Sequence, residues 1–324
     1  MRRHMTQKNH DTAFAKGLIL ILISVLFWGI LPLALKFNLQ KLDGVTITWF
    51  RFLVALGVCA VIQYFNGALA QFRTLTRRDW TLLTAAALFL IIDYVGYISS
   101  LNYISPSASI VFTQVTPFFL TIGGVIVFKE RMSALQVLCF VLLFAGLVLF
   151  FHDSLISALT TEAMLWQGVF LTVGAALFWS FYAMLQKKLS QKLSPSNILL
   201  FTYGLAIVVL FPASDTSGFA ALTPVDWSLL TFCAFNTIIA YGAFAEALHY
   251  WDASQVGSVL ATTPLFTIAA TFTASLIWPG LYTADQVSLG GWIGIALVIF
   301  SVAGFNIVKH RRTKALQALA ATPC

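Results

Sequence analysis

Three ionisable side chains lie inside long apolar segments of this sequence, where solubility does not account for them. They are Arg51, Asp93 and Glu246. A charged side chain at the centre of a membrane span costs about 2.5–3.5 kcal/mol on insertion scales, so each needs a physical reason. Asp93 lies near the middle of its segment, the costliest depth. It is a candidate to pair with a substrate amine or to carry a proton; a buried hydrogen bond to Arg51 or to a tyrosine would explain it equally well.

Arg51 lies in the outer third of its apolar segment. A guanidinium at that depth is able to hold a carboxylate through two parallel hydrogen bonds. The alternative is that its long side chain snorkels to the nearer membrane surface. Arg51→Lys separates the two, because lysine keeps the charge and loses the fork, so an unchanged substrate affinity would exclude a carboxylate clamp.

Glu246 and His249 are three residues apart and therefore share one face of a helix. Because histidine titrates near physiological pH, the pair is a candidate gate or proton relay near the cytoplasmic surface. The alternative is a local polar pair in contact with interfacial water.

Four aromatic residues and two amides complete the candidate substrate-binding set. The aromatics are Trp28, Trp179, Tyr94 and Tyr241, and the amides are Gln114 and Asn236. Aromatic rings in membrane segments are able to line an apolar or cation-binding pocket. Because 15% of all residues are aromatic, packing against lipid or other helices is the alternative.

Pro117 and Pro264 each follow a threonine near the centre of an apolar segment. A proline inside a helix removes a backbone hydrogen bond and is able to kink the helix. Membrane helices tolerate single prolines, but two at equivalent positions predict bends that shape a cavity. Normal transport by both Pro117→Ala and Pro264→Ala would exclude this interpretation.

The elements that position these residues are predicted to be membrane-spanning helices. The chain of 324 residues is 59% hydrophobic and 10% charged, with a mean hydropathy of +0.88. A soluble domain needs more charge than this to cover its surface. A bilayer core takes roughly 20 apolar residues per helix, so an all-α integral membrane fold of ten helices is expected. They are predicted at residues 17–36, 45–65, 80–101, 107–128, 133–151, 165–187, 196–212, 227–249, 253–277 and 287–308.

All but three of the 19 Lys and Arg residues fall on one side of this arrangement. The exceptions are Lys36, Lys41 and Arg51. Cytoplasmic loops retain basic residues, so both termini are predicted to be cytoplasmic in a multi-pass protein of the cell inner membrane. Topology also explains the net charge of +7, and the expected partners are the lipid bilayer and a small-molecule substrate, not nucleic acid.

The two halves of the sequence repeat one another. Asp79-Trp80 recurs as Asp226-Trp227, Ile91-Ile92-x-Tyr94 as Ile238-Ile239-x-Tyr241, Thr116-Pro117-x-Phe119 as Thr263-Pro264-x-Phe266, and Phe27-Trp28 as Phe178-Trp179. This predicts five-helix repeats at 17–151 and 165–308, with polar tails at 1–16 and 309–324. Because five is odd, the repeats have opposite orientations in the membrane. Inverted repeats suit alternating access to a site between the halves.

The combined pattern resembles the EamA-type transporters of the drug/metabolite transporter superfamily. The matching residues are Phe27-Trp28-Gly29, Arg51-Phe52, Tyr103, and Pro117 leading into Phe128-Lys129-Glu130-Arg131, within about residues 17–308. The second copy has Trp278-Pro279-Gly280 where the first has Glu130, so its corner is not expected to behave symmetrically. The resemblance implies a ten-helix exporter of amino acids or other small metabolites, without identifying the substrate.

Other functions fit the residues less well. A carrier of phosphorylated sugars would need several cations within the membrane, and only Arg51 qualifies. A multidrug exporter of lipophilic cations is the closest alternative, because Asp93 and the aromatics suit a cation. Four scattered cysteines and five scattered histidines form no metal-ligand pattern or nucleophile–base set, so no enzyme activity, cofactor or metal is expected. Gly290-x-x-x-Gly294 permits close helix packing, and a monomer or weak homodimer is expected.

Overall fold

A computed structural model describes residues 7–100, 103, 112–150, 152, 156, 165–277 and 288–321, and within them the regular structure is entirely helical. The helices of the first half are α1 (Gln7–Asn38), α2 (Gly44–Phe65), α3 (Arg77–Ser100), α4 (Thr116–Phe128) and α5 (Ala134–Phe150). Those of the second half are α6 (Leu165–Leu189), α7 (Pro195–Leu210), α8 (Pro224–Tyr250), α9 (Ala253–Leu260), α10 (Thr263–Ile277) and α11 (Leu289–Ala321). Short 3₁₀ segments occupy Ala68–Thr74, Phe211–Ala213 and Thr216–Ala221.

Eight segments among the described residues are long and apolar enough to cross a membrane, with α9 and α10 counted together as one. The helices α4 and α5 are apolar but shorter, at 13 and 17 residues. A multi-pass helical membrane protein is therefore confirmed, whereas ten spans in a 5+5 arrangement stay a prediction. Part of the fourth predicted helix, 107–128, lies outside the described residues.

Two predicted boundaries differ from the structure. The first helix begins at Gln7 and the last ends at Ala321, so much of the predicted polar tails is helical. The two prolines that were predicted to bend helices do not lie inside continuous helices. Each occupies the second residue of a helix, Pro117 in α4 and Pro264 in α10, after a turn at residues 114–115 and 261–262. Proline is well suited to this position because the first helical N–H groups have no intrahelical acceptor.

Helix starts in the two halves are built in the same way. Asp43 caps α2 and Ser194 caps α7, each by accepting a hydrogen bond from a backbone N–H three residues on. Thr223 and Asp226 form a reciprocal capping box at the start of α8. Thr76 and Asp79 exchange the same hydrogen bonds at the start of α3. These caps lie at equivalent positions of the sequence repeat, so the duplication extends to local structure.

The two halves interlock instead of lying side by side. The most extensive helix contacts are α3 with α6, α1 with α8, α5 with α11, and α2 with α7. Each pair joins one helix of residues 7–150 to one of residues 165–321. Gly146 and Gly294 allow the α5–α11 contact, because a Cβ atom on Gly294 would lie 2.6 Å from the Gly146 carbonyl oxygen. Gly294 therefore serves packing within the chain.

The start of α1 and the second half of α11 meet at one end of the bundle. The rings of Phe14, near the start of α1, and His310, in α11, are 4.2 Å apart. We call this end the termini face. The opposite end, where α1 finishes and α8 begins, is the far face.

Candidate functional site

A cavity of about 220 Å³ lies between the two halves of the bundle. Side chains of α1, α2 and α3 line it from the first half, and side chains of α6, α8 and α10 from the second. The turn before α4 and the last residue of α9 complete its wall. The cavity therefore depends on both copies of the repeat, and seven of the predicted substrate-binding residues line it: Arg51, Asp93, Trp28, Trp179, Tyr94, Tyr241 and Gln114.

Arg51 enters this cavity from α2 and does not snorkel to a membrane surface. Only 2% of the residue is exposed. Its Nε donates to the Thr237 hydroxyl at 2.9 Å and to the Cys233 carbonyl at 3.2 Å, both on α8. Its Nη2 has no hydrogen-bond partner among the described residues, and the guanidinium lies 5.4 Å from the ring centre of Tyr94. The Arg51 guanidinium is therefore held against α8 through its Nε–H group.

Asp93 lines the same cavity from the middle of α3. No hydrogen bond or ion pair to its carboxylate is present among the described residues, and in particular none to Arg51. The buried hydrogen bond offered as an alternative explanation for Asp93 is therefore not formed in this conformation. The Asp93 carboxylate and the Arg51 guanidinium therefore both line the cavity, and no ion pair joins them in this conformation.

The four predicted aromatics form one cluster at the cavity. The rings of Trp28 and Trp179 are 5.8 Å apart in an edge-on arrangement, and Trp28 meets Tyr241 at 5.1 Å. Tyr94 and Tyr241 are 6.0 Å apart. Trp28 and Trp179 are repeat equivalents, and so are Tyr94 and Tyr241. Equivalent residues meet each other only near a pseudo-twofold axis, so this axis passes through the cluster.

The charges of the cavity do not follow this symmetry. Counted from the equivalent caps Asp43 and Ser194, the residue equivalent to Arg51 is Thr202. The residue equivalent to Asp93 is Ala240, since each precedes one of the paired tyrosines. Both ionisable groups therefore belong to the first half. The repeat-related frame therefore carries the charged side chains Arg51 and Asp93 on one side of the cavity.

Further polar groups in the wall were not found from the sequence. Thr172 of α6 is fully buried, and its hydroxyl has no partner among the described residues. Gln114, which the sequence did predict, likewise has an Oε1 atom without a partner among the described residues. Thr116, Thr263 and Thr267 line the cavity beside Pro117 and Pro264. A threonine in an apolar segment carries no signal of its own, because its hydroxyl ordinarily bonds to its own helix.

Three of the predicted residues lie away from the cavity lining. Asn236 is fully buried, and its amide donates to the Phe27 carbonyl oxygen at 2.5 Å, joining α8 to α1. Glu246 is half-buried and His249 is exposed near the end of α8, where the ring of His249 contacts Tyr250. The structure does not bring Glu246 and His249 to the cavity.

Comparison with known proteins identifies the chain. The EamA-like transporter family matches twice, over residues 15–152 and 166–307. The chain belongs to this family. A relative from Escherichia coli K12, the uncharacterized inner membrane transporter YhbE, is 35% identical over 297 residues, or 91% of this chain and 92% of the relative. An uncharacterized transporter of Haemophilus influenzae is 33% identical over 299 residues, 91% of this chain and 97% of that one.

Comparison with solved structures supports the architecture. One crystal structure superposes with a TM-score of 0.68 at 16% identity, covering 94% of this chain and 99% of the other. At that identity the similarity shows the fold alone. The resemblance inferred from the sequence is confirmed, and the protein is a multi-pass membrane transporter of the EamA-like family.

The termini face of this EamA-like transporter is sealed by α9, whose eight residues are all buried. Its last residue, Leu260, reaches the cavity, and its first lies against Glu130. The Glu130 carboxylate accepts the backbone N–H groups of Ala253 at 2.8 Å and Ser254 at 3.2 Å, and the Ser254 hydroxyl at 2.6 Å. A carboxylate at a helix N-terminus is stabilised by the unpaired N–H groups and the helix dipole.

Three further charged residues surround this helix start. Lys187 donates to the Trp251 carbonyl at 2.9 Å and lies 3.5 Å from Glu130. Lys309 pairs with Asp252 at 2.7 Å. The cluster holds the start of α9 between the cavity and the termini face. Sequence reasoning noted Glu130 within the family pattern but missed the cluster, because its members are far apart in the chain.

Proposed function

We propose that this transporter carries amino acids or related zwitterionic metabolites across the inner membrane by alternating access. The observation that carries the proposal is the charge arrangement of the cavity. Arg51 and Asp93 line it without forming an ion pair with each other. A zwitterion supplies a carboxylate for the guanidinium and an ammonium for the Asp93 carboxylate, so one ligand neutralises both.

The size and walls of the cavity support a small, partly apolar substrate. An engineered apolar cavity of about 150 Å³ binds benzene, so 220 Å³ suits a somewhat larger molecule. Trp28, Trp179, Tyr94 and Tyr241 supply apolar surface for a side chain and ring faces for a cation. Several phosphates would lack counter-charges, because Arg51 is the one lysine or arginine among the lining residues.

Alternating access is supported by the position of the seal. The cavity lies between the halves, and α9 separates it from the termini face. With cytoplasmic termini, as the distribution of Lys and Arg favours, this conformation is closed towards the cytoplasm. Export is the direction implied by the family resemblance. Glu246 and His249 stay candidates for a gate or proton relay at this face; an unshifted pH profile in Glu246→Gln would exclude that role.

Export of lipophilic cations is the second candidate, favoured by the aromatic cluster next to Asp93. Such a substrate uses the carboxylate and the ring faces but has no use for a guanidinium. The two candidates therefore differ at Arg51. We expect Arg51→Lys to impair amino-acid transport and to leave transport of a lipophilic cation unchanged or improved.

The test is counterflow in proteoliposomes preloaded in turn with a panel of amino acids and with a lipophilic cation. Wild type, Asp93→Asn and the charge-retaining Asp93→Glu are compared, after size-exclusion chromatography has shown that each is folded. We expect accumulation of one group of amino acids, lost in Asp93→Asn. A signal with the cation alone would establish drug efflux, and amino-acid transport undiminished in Asp93→Asn would remove Asp93 from the site.

A further inference from the structure

Arg51 is held by a residue of the opposite repeat. Its Nε donates to the Oγ1 atom of Thr237 at 2.9 Å, and Thr237 lies on α8 whereas Arg51 lies on α2. Both residues are buried, at 2% and 0% exposure. A long arginine side chain has many rotamers, so a buried contact of this kind restricts where its guanidinium points.

The Thr237 hydroxyl is itself oriented by its own helix. Its Oγ1 donates to the Cys233 carbonyl, four residues earlier, at 3.0 Å. The hydroxyl proton is therefore committed, and a lone pair of Oγ1 is left to accept from Arg51. The same Cys233 carbonyl accepts from Arg51 Nε at 3.2 Å. Two acceptors on α8 thus share one guanidinium N–H.

This arrangement occupies Nε and leaves Nη2 without a partner among the described residues. A guanidinium offers five N–H donors in a fixed plane, so fixing one edge fixes the direction of the others. We infer that Thr237 is a positioning residue that aims the Arg51 guanidinium at the substrate carboxylate. The inference rests on the proposed function, because it assumes that the substrate carries a carboxylate.

Counterflow with two substrates separates positioning from a general structural role. The substrates are the amino acid that wild type accumulates and the amine that lacks its carboxylate. For Thr237→Val we expect the KM of the amino acid to rise about tenfold, the size expected for one hydrogen bond to a charged group. Turnover and the KM of the amine should change little. Thr237→Ser keeps the hydroxyl and should stay close to wild type.

Thr202→Val is the matched control. Thr202 is also fully buried on a helix, and its hydroxyl also donates to a carbonyl four residues earlier, that of Ile198 at 2.8 Å. It does not line the cavity. Thr202→Val should therefore leave both KM values unchanged. In an Arg51→Lys background, Thr237→Val should add no further rise, because lysine has no Nε–H to position.

A second measurement does not depend on transport. With nitrogen-labelled arginine, NMR should show one slowly exchanging Nε–H signal that disappears in Arg51→Lys. We expect the signal to persist in Thr237→Ser and Thr202→Val and to exchange faster in Thr237→Val. An unaltered signal in Thr237→Val would overturn the inference, as would an unaltered KM where Arg51→Lys raises it. If wild type accumulated none of the amino acids, the proposed function would be contradicted. The NMR result would still decide whether Thr237 holds the Arg51 Nε–H group.

Discussion

The roles of polar side chains in the helices follow from which of their atoms already have a hydrogen-bond partner within the protein. Arg51 uses one edge on α8, and Asp93 has no protein partner among the described residues. Both residues line the cavity that we propose as the substrate site. Asn236 is the opposite case, since its amide is used on the backbone of Phe27. A polar residue in a membrane span indicates a need for a partner, and that partner is either a substrate or a neighbouring helix.

The first prediction concerns Asn236. We expect Asn236→Ala to lower the free energy of unfolding by about 1 kcal/mol, because the α1–α8 contact loses its side-chain hydrogen bond. The KM of the transported substrate should not change, since Asn236 does not line the cavity. Thermal denaturation in detergent and counterflow measure the two effects. Gln114→Ala is the control, because Gln114 lines the cavity and its loss should raise KM. A raised KM in Asn236→Ala would return this residue to the binding site.

At the scale of helices, the sequence predicted where helical segments lie better than where a turn interrupts them. Long apolar segments were enough to predict a multi-pass helical fold, and ionisable and repeat-paired residues were enough to predict seven residues of the cavity wall. The sequence predicted one helix over 253–277, whereas the structure has α9, a turn and α10. Proline signals a helix start and a helix kink alike, and only packing decides between them. In α9 that packing is complete, since every residue is buried.

The charged cluster around α9 could not be predicted from the sequence for a related reason. Glu130 follows α4, Lys187 lies in α6, Asp252 follows α8 and Lys309 lies in α11. Nothing in their spacing links them. Their proximity results from the interlocked packing of the halves. By contrast, Asp93 and Arg51 were identified because the cost of burial in a membrane makes any such residue conspicuous on its own.

The second prediction concerns the seal at the start of α9. Glu130→Gln removes the negative charge from the helix N-terminus and from beside Lys187. We expect a loss of about 1–2 kcal/mol in the free energy of unfolding, and a shift towards a conformation open at the termini face. The shift is measured by labelling Val256→Cys, a fully buried position of α9, with a membrane-impermeant maleimide. The native cysteines are first replaced.

Glu246→Gln is the matched control for this prediction. Glu246 lies near the same face, but among the described residues it is Glu130, and not Glu246, whose side chain accepts hydrogen bonds from the start of α9. Labelling of Val256→Cys should be faster with Glu130→Gln than with Glu246→Gln. Labelling with Glu130→Gln that is no faster than labelling with Glu130 intact would show that Glu130 does not hold the seal closed.

At the scale of the whole molecule, two ion pairs relate the halves to each other. Lys41, after α1, pairs with Asp226 at the start of α8 at 2.6 Å, on the far face. Lys192, after α6, pairs with Asp79 at the start of α3 at 2.7 Å, near the termini face. The lysines are repeat equivalents, and so are the aspartates. Each pair joins the loop after the first helix of one half to the third helix of the other.

The two lysine–aspartate pairs differ from the seal in the faces at which they are formed. Among the described residues, the cluster of Glu130, Asp252 and Lys309 is found at the termini face. The two lysine–aspartate pairs are formed at both faces in the same conformation. A gate that alternates would be formed at the closed face and broken at the other. Pairs formed at both faces instead suit hinges, about which the interlocked halves turn while these points stay together.

Crosslinking distinguishes hinges from gates. Lys41→Cys with Val225→Cys, and Lys192→Cys with Arg78→Cys, replace the lysine of each ion pair and the residue next to its aspartate, and they keep both capping aspartates. Lys309→Cys with Asp252→Cys places them across the seal. Each pair is introduced after the native cysteines are replaced, and counterflow is compared before and after a short bis-thiol crosslinker. We expect transport to survive at the first two pairs, because hinge residues keep their separation, and to stop at the third, because the seal must open. If crosslinking at either lysine–aspartate pair stopped transport, that pair would be a gate, and the motion would have to break it in every cycle.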